Sequence, residues 1–170
     1  MIKKIVDFII EKYTLIFLFL TAICSIFVII VYGLGWKEAL IRNFLFWNVG
    51  IRGLIAFFSN WYSPIAREIA RAYGWPLENS FQTDLAATEG AFGILGILSL
   101  WFKGDFWFAT LLGMCLCMFF SELGSLSRVS KRMRKEKNYA LSTSLHLGMR
   151  IDLFISLLMI SVLVMWKISG

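Results

Sequence analysis

The chain has 170 residues, a length suited to one domain. Hydrophobic residues make up 59% and charged residues 16%, with a mean hydropathy of +0.74. Those values exclude a disordered chain, an ordinary soluble domain and a nucleic-acid-binding protein, and imply an all-α membrane helical bundle forming a single transmembrane domain.

Lys3 and Lys4 precede an uncharged run of 24 residues from Tyr13 to Trp36. A signal peptide has an apolar region of about 7–15 residues, so the expectation is an uncleaved first span, at 14–35. The segment before it, with Ile2, Val6, Ile9 and Ile10 against Lys3, Asp7 and Glu11, suggests an interfacial helix. A second apolar run, at 40–60, is interrupted by Asn48 and Arg52.

Residues 64–73 read as a short helix lying flat on the membrane surface. Ser63 is a candidate N-cap, and Pro64 suits the first helical position. Ile65, Ile69 and Ala72 form one face; Arg67, Glu68 and Arg71 form the other. Gly74 and Pro76 end the helix. Asn79 and Gln82 suggest a capping box before a third span at 84–102, which contains Glu89. A fourth span, at 106–125, ends near Glu122, and a fifth, at 148–167, opens with Arg150 and Asp152. Four spans is the alternative, if the second run only dips into the bilayer.

Charge asymmetry orients this arrangement. With five spans and an inner N-terminus, inner segments hold eleven basic residues and outer segments three. The bias predicts a cell-membrane protein with a cytoplasmic N-terminus and an external C-terminus. Trp36, Trp101, Trp107 and Trp166 would mark the outer border, Trp61 and Trp75 the inner one. Arg128, Lys131, Arg132, Arg134, Lys135 and Lys137 form a basic run suited to anionic lipid at the inner face.

Residues 65–69 (Ile-Ala-Arg-Glu-Ile), Gly74-Trp75 and Asn79-Ser80-Phe81-Gln82 carry a more specific pattern. It continues through residues 91–96 (Ala-Phe-Gly-Ile-Leu-Gly), Trp101, residues 104–110 (Gly-Asp-Phe-Trp-Phe-Ala-Thr), Asn138-Tyr139-Ala140 and Asp152. The pattern resembles a family of small uncharacterised prokaryotic multi-pass membrane proteins over roughly residues 60–155. The resemblance implies a fold and no reaction. Members often carry a histidine before the surface helix and another after the fourth span; Tyr62 and Ser125 stand near those places here, which argues against histidine-dependent chemistry.

An ionisable side chain near the bilayer centre costs about 2.5–3.5 kcal/mol, so it usually has a partner or a task. The candidates are Asn48, Arg52, Glu89, Glu122, Arg150 and Asp152. Arg52 is expected to pair with an acid, and depth counting from the helix ends favours Glu122 and Glu89. Gly90, Gly93 and Gly96 form a small-residue ridge suited to close helix packing.

Cys24, Cys115, Cys117 and His146 have no metal-site spacing, and no nucleophile motif, phosphate loop or cofactor site is evident. The expected function is a structural or accessory subunit of a membrane assembly, as a homo-oligomer or in a larger complex. The alternatives are a small transporter or lipid-binding protein using the polar cluster as its site, and an intramembrane enzyme acting on a lipid-linked substrate.

Overall fold

The computed structural model describes residues 2–73, 75–77, 80–133 and 139–168, with side chains described for 13–62, 64–71, 75–77, 80–124 and 150–168. Arg134, Lys135 and Lys137 lie outside these residues, and Arg128, Lys131 and Arg132 are described by their backbone alone.

The described residues are helical throughout, joined by short turns. Helix α1 runs Ile2–Tyr32, longer than a bilayer core requires. It continues without a break through the segment expected to form a separate interfacial helix. Gly33, with φ of 66°, ends it: the left-handed backbone lets the Gly33 N–H return to the Ile29 carbonyl at 3.0 Å.

The next apolar run is one rod in three parts. Helix α2 is Trp36–Phe44, a π-helical stretch covers Leu45–Ile51, and α3 is Arg52–Trp61. Asn48 and Arg52 therefore do not interrupt the helix; the backbone widens around Asn48 instead. At Tyr62 the chain turns into an extended conformation, and the Tyr62 carbonyl accepts from the Ile65 and Ala66 N–H groups at 3.0 and 2.9 Å. Tyr62 thus stands in the N-cap position expected for Ser63. Helix α4 follows at Ser63–Tyr73, burying Ala66, Ile69 and Ala70 and exposing Arg67 and Arg71.

Helix α5 is Ser80–Leu98, α6 is Asp105–Met133 and α7 is Tyr139–Ile168. The closest pairings are α3 with α5 and α6 with α7, while α1 packs on α2, the π-helical stretch and α7. The core joins Ile41, Phe44, Leu45 and Val49 to Trp107, Leu111 and Met114 of α6 and Ile155, Met159 and Leu163 of α7. Trp107, expected at a membrane border, is 1% exposed and donates its indole N–H to the Ser99 carbonyl at 2.7 Å. Trp36, Trp61 and Trp101 are exposed.

Four segments are long and apolar enough to cross a membrane: Tyr13–Tyr32, Trp36–Trp61, Asp105–Gly124 and Arg150–Ile168. The second run is among them, so it has the length to cross rather than dip. Helix α5 is not among them, because Gln82, Asp84 and Glu89 dilute its first half.

Candidate polar site in the bundle interior

Arg52 opens α3 directly after the π-helical stretch. Its two terminal nitrogens donate to the two carboxylate oxygens of Asp152 on α7, Nη1 to Oδ1 at 3.0 Å and Nη2 to Oδ2 at 2.8 Å. A planar guanidinium on a planar carboxylate is the strongest geometry for such a pair. Helix α1 closes it from the third side. Thr14 donates its hydroxyl to Asp152 Oδ2 at 3.2 Å, the Tyr13 hydroxyl donates to the Arg52 carbonyl at 2.5 Å, and the Tyr13 ring lies 5.5 Å from the guanidinium carbon. The Arg52 and Asp152 side chains are 15% and 9% exposed. Three helices are therefore tied at one point.

The partner differs from the acids that depth counting favoured. Asp152 lies 16 residues before Ile168, and Arg52 lies 16 after Trp36. At 1.5 Å per residue both stand about 24 Å from the same end of the bundle. Glu122 is at similar depth, so depth does not select the partner. Azimuth does: α7 touches both α1 and α2, and turns Asp152 into their groove. Arg150, two residues away on α7, is exposed and outside the cluster.

Glu89 belongs to a second network. Asn60 donates to Glu89 Oε2 at 2.9 Å, and Gln82 donates to Asn60 Oδ1 at 3.2 Å and to the Ala66 carbonyl at 2.8 Å. This network joins α3, α4 and α5. Gln82, expected to complete a capping box, is buried and directs its amide inward instead. Glu122 lies within Coulombic range of Arg52 and Asp152. Its Oε2 is buried with no hydrogen-bond partner among the described residues.

The glycine ridge occupies the opposite side of the α2–α3 rod. Gly96 abuts Gly50 and the Leu45 carbonyl. A Cβ at Gly93 would come within 2.8 Å of the Leu54 nitrogen, and one at Gly53 within 2.9 Å of the Glu89 carbonyl. Only backbone fits there, while Gly90 receives the Phe57 ring.

Helix α1 holds the groups that a reading of its apolar run overlooks: Tyr13, Thr14, Thr21 and Ser25. Their spacing on one helical face was the available signal. Thr21 Oγ1 accepts from Asn48 Nδ2 at 2.7 Å, and the same nitrogen reaches the Phe17 carbonyl at 3.3 Å.

The three cysteines are free thiols. Among the described residues, no three His, Cys, Asp or Glu side chains converge as a metal site. An apolar groove of about 560 Å³ opens where α4 leaves α3, lined by Ile55, Phe58, Ser59, Trp61, Tyr62 and Ile65, apart from the charged cluster.

These features define a class: an all-helical protein with four membrane-length apolar helices and a hydrogen-bonded ion pair joining three helices inside the bundle. Within it, the chain belongs to a family of unknown function (DUF6790), whose model matches residues 11–170. That match is wider than the segment whose motifs carry the resemblance. No curated protein and no solved structure matches the chain.

Proposed function

We propose that the protein is a five-span cell-membrane protein serving as a structural or accessory subunit of a membrane assembly. The observation that carries this reading is the closed Arg52–Asp152 pair, sealed by Tyr13 and Thr14. Both carboxylate oxygens and both terminal guanidinium nitrogens are committed to protein partners, as in a lock that holds helices in register. Helix α5 serves as the third span in chain order and brings the four membrane-length segments to five. Its 19 residues extend about 28 Å, close to a bilayer core of about 30 Å, and its glycines hold it against a rod that is itself of spanning length. The eleven-to-three excess of basic residues supports a cytoplasmic N-terminus and an external C-terminus. In this orientation Arg128, Lys131, Arg132, Arg134, Lys135 and Lys137 meet anionic lipid at the inner face, and α4 lies along that surface.

The lock is tested by charge exchange. Arg52→Asp alone should lose most of the thermal stability in detergent, and Arg52→Asp with Asp152→Arg should regain part of it. No recovery in the double variant would sink the pairing as a structural device. A C-terminal reporter active only outside the cell checks the odd span count.

A second reading, transport, is favoured by Glu122, whose buried Oε2 has no hydrogen-bond partner among the described residues and is not used by the lock.

A further inference from the structure

A line of polar groups continues from the ion pair along the interface between α1 and the α2–α3 rod. On α1 it comprises Thr14, Thr21 and Ser25; on the rod, Arg52, Asn48 and Asn43. Asn48 donates to Thr21 at 2.7 Å. Ser25 and Asn43 donate to the same acceptor, the Ala39 carbonyl, at 3.3 and 2.8 Å. Thr21, Ser25, Asn43 and Asn48 are 2%, 5%, 8% and 2% exposed. Two oxygens, Asn48 Oδ1 on the line and Glu122 Oε2 within Coulombic range of Arg52 at its inner end, are buried without a hydrogen-bond partner among the described residues. Asn48 also sits in the π-helical stretch, a rare backbone geometry that recurs at functional sites.

We propose that this line is a proton pathway between the Glu122 carboxyl and the outer end of the α1–α2 pair. The proposal rests on the transport reading and takes the Arg52–Asp152 pair as its starting point. Arg52 on α3 and Asp152 on α7 are the charged groups within Coulombic range of Glu122. Arg52 is already matched by Asp152, so Glu122 is the acid left to exchange a proton. Thr21 and Ser25, and likewise Arg52 and Asn48, lie four residues apart, roughly 6 Å, a gap that one water spans with two hydrogen bonds of about 2.8 Å; Asn48 to Asn43 and Thr14 to Thr21 are wider, about 8 and 10 Å. Asn48 Oδ1 orients such a water, and the Thr21 and Ser25 hydroxyls each release one hydrogen as they accept another. One proton enters as one leaves, so the line regains its starting state. The Ala39 carbonyl, one turn from Trp36, marks the outer end. Ionisable groups inside a membrane protein commonly serve as proton relays of this kind.

The test uses the full-length protein in liposomes holding a pH-sensitive dye, with proton flux driven by a potassium gradient and valinomycin. Wild-type vesicles should change internal pH about tenfold faster than protein-free vesicles, and Glu122→Gln and Thr21→Val should each remove most of that difference. Thr21→Val keeps the side-chain shape, and its melting temperature reports whether the fold survives. Wild-type flux no faster than protein-free vesicles would overturn the proposal. So would unchanged flux in a folded Thr21→Val or Glu122→Gln variant, or a rate set by external sodium at constant pH. The charge-exchange result at Arg52 and Asp152 is read from stability, so failure of the pathway and failure of the lock remain distinguishable.

Discussion

The rod from Trp36 to Trp61 is held on two sides by opposite means. Toward α5 it presents glycines, and backbone meets backbone with no space for a Cβ. Toward α1 and α7 it presents Arg52 and Asn48, and the contacts are hydrogen bonds and one bidentate ion pair. Lipid tails are as apolar as leucine, so burying apolar area adds little between membrane helices; close packing and polar bonds remain. The glycine seam tolerates no added atom. The polar seam tolerates change of shape but not the loss of one charge. That difference makes the two seams separable by mutation.

The largest effect is expected at Gly96. Gly96→Val places a branched side chain against the backbone of Gly50 and the Leu45 carbonyl, where nothing flexible can yield. Overpacking that side chains can absorb costs about 1–3 kcal/mol; here the loss should exceed that range, so size-exclusion chromatography should show no monodisperse folded peak. A stable Gly96→Val variant would mean that α5 is not seated as described.

Next comes the ion pair. Asp152→Ala should cost about 3–5 kcal/mol, because Arg52 is left charged and uncompensated. Replacing both partners, Arg52→Leu with Asp152→Leu, should recover most of that loss by the same argument. Thermal unfolding in detergent distinguishes these outcomes. If the double variant is as unstable as the single one, the polar seam depends on more than this pair.

A smaller effect is expected in the Glu89 network. Asn60→Ala removes the donor to Glu89 and one acceptor of Gln82, and should lower stability by about 1–3 kcal/mol. The smallest effect belongs to the exposed pair between Lys167 and Asp105, at 2.6 Å. Lys167→Ala should leave the melting temperature nearly unchanged, and high salt should shrink even that small difference.

Much of this contrast was legible without coordinates. Gly90, Gly93 and Gly96 recur at an interval that places them on one helix face, which marks a close-packing ridge. Arg52 in an apolar run signals a charge that needs a partner. Asn60 escaped notice and Gln82 was read only as part of a capping box, because each lies near a helix end, where an amide is unremarkable. Thr14, Thr21 and Ser25 escaped because a long hydrophobic run masks hydroxyls that share its buried face. Glu122 was identified as a cluster member, but that its oxygen lacks a partner among the described residues depends on every neighbouring atom.

Composition and hydrophobic run length were enough to determine an all-helical chain with membrane-length segments, because each helix satisfies its own backbone hydrogen bonds and needs no distant partner. The choice among Asp152, Glu122 and Glu89 as the partner of Arg52 was decided by tertiary structure alone. Residue counting gives depth along a helix, whereas pairing depends on helix rotation and on which neighbours close the groove. The π-helical stretch adds a local change of rotation that periodicity does not announce, and it sets the direction in which Asn48 faces α1.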